Sequence, residues 1–85
     1  DLAIIMALMS SYKDRPVDPK MLIFGEVGLS GEVRAVSQAG QRVNEAAKLG
    51  FTTCVLPKVC ADKMKQVEGI RLIGVSNVRE AIGII

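Results

Sequence analysis

Eighty-five residues with a formal net charge of +2 and 24% charged side chains make one domain or part of one. Hydrophobic residues are 49% of the chain, yet Tyr12, Phe24 and Phe51 are its only aromatics, so Ile, Leu, Val, Met and Ala must build the core; that suits helices on a sheet better than an aromatic-rich β sandwich. The charge excess falls short of the dense basic patch of an overt nucleic-acid binder, the apolar run Leu2–Met9 is far shorter than the roughly 20 residues that cross a bilayer, and two cysteines without any histidine cannot complete a four-ligand zinc site.

Residues 1–13 read as a helix that is apolar nearly all round, with Asp1 suited to its positive end and Lys13 to its negative end. A helix lacking a polar face is expected to be buried on more than one side. Arg15-Pro16-Val17-Asp18-Pro19 ends it in a loop, because each proline pushes its predecessor out of the α region. Met21–Val27 and Gly31–Val36 are expected to form two antiparallel strands, with Gly28 and Gly31 bracketing a Leu29-Ser30 turn. Ser37 is placed to cap a helix running to about Leu49, with Ala39, Val43, Ala46 and Ala47 as its apolar stripe and Gly50 as its left-handed terminator. Thr52–Leu56 reads as a strand ended by Pro57, Ala61–Val67 as a short helix with Met64 inward, and Ile70–Val75 as another strand. Asn77-Val78-Arg79-Glu80 fits the capping-box start of a last helix, with Val78, Ala81, Ile82 and Ile85 inward. Strands separated by helices are generally parallel, so the expected fold is a mixed α/β layer: an antiparallel hairpin followed by α-β-α-β-α. Cys54 and Cys60 sit among apolar neighbours and read as buried free thiols, which fits a reducing cytoplasm. The chain opens on Asp1 already inside a helix pattern and reads as a piece of something longer.

Several motifs invite chemistry and fail on its requirements. Gly25, Gly28 and Gly31 are followed by a strand and by no lysine, whereas a phosphate loop needs a helix and Gly-Lys-Ser/Thr. They read as turn and close-approach glycines. Glu26 and Glu32 lack the pocket that would separate two carboxyl pKa values, so cross-strand or surface pairing with Arg34 is the simpler fate. The serines at positions 10, 11, 30, 37 and 76 would need a lysine as base, since no histidine exists.

The segment Gly25-Glu26-Val27-Gly28-Leu29-Ser30-Gly31-Glu32-Val33-Arg34, together with Glu45-Ala46-Ala47-Lys48-Leu49-Gly50-Phe51, resembles the C-terminal Lon-protease-like domain of RadA-type (Sms) DNA repair proteins. Asp1-Leu2-Ala3, Ser10-Ser11, Arg42 and Pro57-Lys58 recur in the same register over residues 1–58, and the tail from Gly69 resembles the end of a Lon-type domain. The resemblance implies an incomplete Lon-protease-like fold of the ribosomal-protein domain-2-like type, with residues 1–85 as its C-terminal part. Lon proteases carry a similar strand-turn-strand followed by a helix whose start bears the catalytic lysine. An ungapped match puts Gly40 at that position and the nucleophilic serine just before residue 1. Arg42 lies two residues on, but its guanidinium stays protonated and cannot serve as a base.

The resemblance therefore implies a domain without catalytic residues, metal or cofactor of its own. The parent would be a hexameric ATPase with an N-terminal zinc finger, working in branch migration and recombinational repair in the cytoplasm. ATP, magnesium and zinc would belong to its other domains. Self-association and DNA are the partners implied, with no membrane. Arg34, Arg42, Lys48 and Lys58 lie in the matched segments and are the candidate DNA contacts, although solvated surface charge is the simpler reading of any one of them; Lys63, Lys65, Arg71 and Arg79 lie outside the stronger matches. The alternative is a divergent Ser-Lys peptidase with a base from elsewhere, such as Lys48.

Overall fold

The computed structural model describes residues 1–85. In chain order it holds α1 (Leu2–Lys13), β1 (Met21–Ile23), β2 (Glu26–Val27), β3 (Val33–Arg34), α2 (Ala39–Lys48), β4 (Thr53–Pro57), α3 (Lys58–Ala61), β5 (Arg71–Val75) and α4 (Val78–Ile82). β1, β4 and β5 form a parallel sheet in the order β1-β4-β5, while β2 and β3 pair antiparallel as a separate ribbon. The mixed α/β expectation holds in this arrangement.

The register explains the two cores. Leu22, Cys54 and Leu72 sit side by side across the sheet, as do Ile23, Val55 and Ile73. Successive side chains of a strand point to opposite faces. One face therefore presents Leu22, Cys54, Leu56 and Leu72 to Ala39, Val43 and Ala46 of α2 and Cys60 of α3. The other presents Ile23, Val55, Ile73 and Val75 to Leu2 and Met6 of α1, Val33 of β3 and Ala81 of α4. Covered on both faces, the central strand reads as an unbroken apolar run, which a half-exposed strand would not tolerate.

Local chemistry sets the ends of the elements. Asp1 caps α1 by accepting from the Ile4 amide at 3.1 Å. At the end of α2, Gly50 adopts φ 96°, its N–H donates to Ala47 O at 3.2 Å, and Phe51 N–H donates to Ala46 O at 3.1 Å. These are the two bonds of the Schellman motif, which a residue with a Cβ would strain to form. Asn77 caps α4 by accepting from Glu80 N–H at 2.9 Å, while Glu80 reaches back to Ser76 N–H at 2.7 Å, one residue further than the capping box anticipates.

Four expectations need correction. The expected strand Met21–Val27 is two strands in two sheets, because the chain turns at Phe24-Gly25: Phe24 N–H still bonds Val55 O, whereas Gly25 C=O accepts from Leu2 N–H at the start of α1. A Cβ on Gly25 would lie 3.0 Å from Val33 Cγ1, so the ribbon folds back over β1 only where a side chain is missing. Ser37 is not a cap; Gln38 holds that position in left-handed conformation, φ 58°, without a side-chain bond. The helix expected at Ala61–Val67 lies at Lys58–Ala61, and residues 62–70 are turns and loop in which Met64 still packs inward. Finally, α1 buries only Leu2, Met6 and Ser10, leaving Ile4, Leu8 and Tyr12 largely exposed. Its all-round apolar surface therefore meets the sheet along one stripe.

Candidate nucleic-acid interface

The ribbon that carries the densest motif is built around its loop. Gly31 N–H donates to Gly28 O at 3.0 Å, and Gly28 N–H donates to Glu32 O at 2.9 Å. Gly31 takes φ 81°, the left-handed position that a type I turn followed by a one-residue bulge requires. The loop thus closes as the two glycines require, with Leu29 fully exposed at its tip. Val33 N–H donates to Ser76 O at 2.8 Å and Val78 N–H to Gly31 O at 2.9 Å, which fixes the ribbon to the β5–α4 junction.

Glu32 is held by this loop. Its carboxylate accepts from Ser30 N–H at 3.1 Å and lies 3.6 Å from the Arg34 guanidinium, the molecule's only ion pair. Hydrogen bonds from its own N–H and that of Ser30, reinforced by Arg34, draw its pKa below the ordinary carboxylate value. Arg34 also stands opposite Glu26 in the ribbon register. Arg34 therefore pairs at the surface with Glu32, two residues before it on the same arm of the ribbon, and makes no ion pair across the ribbon with Glu26.

Arg42 lies on α2 with its guanidinium carbon 5.5 Å from the centroid of the Phe24 ring, a cation–π distance. Both residues line an open cleft of about 620 Å³ between β1 and α2, with Leu22, Leu49 and Phe51 as apolar wall. Asp1, Glu26 and Glu45 line it too, so the cleft carries three carboxylates around one guanidinium. Phe24 as a platform for Arg42, and the acids around it, are spatial neighbours that no sequence spacing signals.

Lys48 is exposed in the last turn of α2, where a cation also faces the negative end of the helix. Lys58 is exposed at the start of α3, in a second cleft shared with Asp62, Glu68 and Arg71. The four candidate cations thus sit on β3, α2 and α3, and none of the larger clefts brings two of them together.

Gly40 is the second residue of α2 and borders a shallow cleft with Asn44 and the segment Met64–Glu68. A Cβ there would meet nothing within 4 Å, so packing does not forbid a longer side chain. The Ser10 hydroxyl is committed to the Arg15 carbonyl, where it ties off the end of α1. Cys54 and Cys60 are free and buried, as their apolar setting suggests, and burial pushes the Cys54 thiol up to about 12. No three His, Cys, Asp or Glu side chains gather in a way that could hold a metal ion. No helix is long and apolar enough to cross a membrane.

Comparison with known proteins gives this geometry a lineage. Residues 1–60 match the family described as subunit ChlI of Mg-chelatase. The chain belongs to that family. Over 82 residues, 96% of the chain, it is 50% identical to the DNA repair protein RadA of Bacillus subtilis (strain 168) and 45% identical to that of Streptococcus pneumoniae (strain ATCC BAA-255 / R6). The DNA repair protein RadA of Escherichia coli (strain K12) is 40% identical over 84 residues, 99% of the chain. The chain spans 18%, 20% and 18% of these three relatives, about a fifth of their length. The kinship to RadA proteins thus extends well past residue 58 and takes in α3, β5 and α4.

Proposed function

We propose that this family member is a Lon-protease-like domain that performs no chemistry of its own and serves assembly and DNA handling in a RadA-type repair and recombination protein. The observation that carries the reading is the 40–50% identity to RadA repair proteins across almost the whole chain. Gly40 at the start of α2 supports the non-catalytic part, because the position where a Lon-type peptidase would hold its amine is open yet bears no side chain. The rest of such a protein would supply the ATPase with its magnesium, a zinc finger and a hexameric ring for branch migration in the cytoplasm. This domain would add exposed Lys48 and Lys58, with Arg34 and Arg42 held by acidic or aromatic neighbours on separate elements.

Single-stranded DNA binding to the chain across a salt series tests the DNA part. Each phosphate contact contributes about −0.7 to the slope of log K against log salt, so four contacts give about −3. Lys48→Ala and Lys58→Ala should each flatten that slope by about 0.7. A salt-independent or absent interaction refutes DNA contact and leaves a protein-interaction module. Serine-dependent peptide cleavage by a longer polypeptide carrying this domain would overturn the scaffold reading.

A further inference from the structure

β1, β4 and β5 run parallel, so all three begin at one rim of the sheet. Lys20 C=O accepts from Thr52 N–H at 2.9 Å, and Thr52 C=O accepts from Arg71 N–H at 2.9 Å, which brings the three chains in side by side. Neighbouring strands lie about 4.8 Å apart, so Lys20 and Arg71 stand about 10 Å from each other with Thr52 between them. Lys48 arrives at the same rim, because the turn through Gly50 carries the end of α2 into Thr52. Lys20, Lys48, Thr52 and Arg71 are all exposed, and none of the three cations is held in an ion pair. The two ends of the sheet also differ in charge. α1 starts beside Gly25, at the exit of β1, and brings Lys13 and Arg15 back to the entry rim. There Lys13, Arg15, Lys20, Lys48 and Arg71 outnumber Asp14, Asp18 and Glu68, and Asp18 spends one carboxylate oxygen on Lys20 N–H at 2.8 Å. At the exit end the balance reverses: Asp1, Glu26, Glu32 and Glu80 outnumber Arg34, Lys58 and Arg79, and Arg34 is tied to Glu32.

We propose that the phosphates of single-stranded DNA dock on this entry rim, on Lys20, Lys48 and Arg71 around the Thr52 hydroxyl. The inference rests on the DNA reading and names the surface that serves it, with Lys20 and Arg71 taking the part that engaged Arg34 and Arg42 cannot. Lysine, arginine and threonine side chains are all donors to phosphate oxygens, and such contacts position a strand without reading its sequence. A free cation exchanges only its loose counterion for a phosphate. Arg34 would first have to give up Glu32, and Arg42 would draw a phosphate into a cleft that holds Asp1, Glu26 and Glu45. Successive residues of a strand face opposite sides, so Lys20 and Thr52 leave the sheet on the α2 side with Lys48, and Arg71 on the α1 side. A strand of DNA crossing the rim meets both.

Fluorescence anisotropy of a labelled single-stranded oligonucleotide, titrated with the chain at several salt concentrations, provides the test. Lys20→Gln and Arg71→Gln should each flatten the slope of log K against log salt by about 0.7, and the double variant by about 1.4. Arg34→Gln, at the exit end, and Lys63→Gln, in the loop after α3, should leave the slope unchanged. Circular dichroism confirms that each variant is folded. A slope that responds to Lys58→Ala but ignores Lys20→Gln and Arg71→Gln overturns the rim and leaves the DNA reading standing. Equal flattening by Lys63→Gln and Lys20→Gln means that binding follows net charge, and overturns the rim as well. Binding that is absent or indifferent to salt removes both.

Discussion

Two glycines should respond to the same substitution with opposite signs. At Gly40 a Cβ meets nothing within 4 Å, whereas at Gly74 in β5 it would stand 3.0 Å from Lys58 Cα and 3.2 Å from Ala61 Cβ. Gly40→Ala should stabilise the fold by about 0.5–1 kcal/mol, since alanine loses less backbone entropy in a helix and nothing resists its methyl group. Gly74→Ala should destabilise by about 1–3 kcal/mol, because the opposing atoms belong to the backbone and a Cβ, and α3 must move away as a body. For a domain of this size 1 kcal/mol shifts Tm by about 4–8 °C, so Gly40→Ala should melt about 2–8 °C higher and Gly74→Ala at least about 4 °C lower. Thermal denaturation followed by circular dichroism, at fixed protein concentration, reads both. Gly40→Lys should behave like Gly40→Ala, as lysine is also a good helix former. If Gly40→Ala lowered Tm, the glycine would be held there by packing, and the missing amine would lose its meaning as a sign of a non-catalytic domain.

Two predictions concern pH. Burial holds the Cys54 thiol protonated to about pH 12 against an ordinary value of 9.0; above about 9 the unfolded chain releases this proton and the folded one does not. That contribution is complete below 9 and is lost as pH rises toward 12, with a slope approaching about 1.4 kcal/mol per pH unit. Urea denaturation at successive alkaline pH values should show the slope, and Cys54→Ala should flatten it. Glu32 is the reverse case: its lowered pKa gives stability that is present above the ordinary carboxylate value of 4.5 and is lost as pH falls through the folded value. The protection of the Ser30 amide from hydrogen exchange, taken relative to its intrinsic rate at each pH, should fall on acidification in the wild type, and in Glu32→Gln should show no such acid-dependent loss.

Much of the fold is legible wherever one residue type has one physical use. The Pro16 and Pro19 loop ends α1, Gly50 ends α2, and the unbroken apolar run around Val55 marks a buried strand. Sequence reading failed where an apolar run serves two sheets. Met21–Val27 carries one charged residue, Glu26, which a single strand could hold on an exposed face, and only the approach of Val33 to Gly25 in space divides it into β1 and β2. Pro57 misled in a similar way. A proline after a strand signals its end, but here φ −58° and ψ 134° let the same residue finish β4 and open α3, so the helix begins at once. The candidate site was less legible than the fold. Arg34 and Glu32 are close in sequence and find each other, whereas Arg42 rests on Phe24 and among the acids of its cleft only through the packing of α2 across the sheet.

That scatter of cations bears on how DNA handling by such a domain would operate. Arg34 is tied to Glu32, and Arg42 shares its cleft with Asp1, Glu26 and Glu45, so one copy offers phosphate few contacts, spread over separate elements. On the proposed reading the affinity belongs to the assembly: copies held in a ring turn later contacts into intramolecular ones, and avidity rises by about 10²–10⁴ without any new contact. Two copies joined by a flexible linker long enough to span a single strand of DNA should therefore bind it at least about 100-fold more tightly than one copy at the same salt. Shortening the linker below that span should abolish the gain. Equal affinity for the single and the tandem chain would mean that each copy grips DNA alone, and would place the recognition in a patch that these four cations do not form.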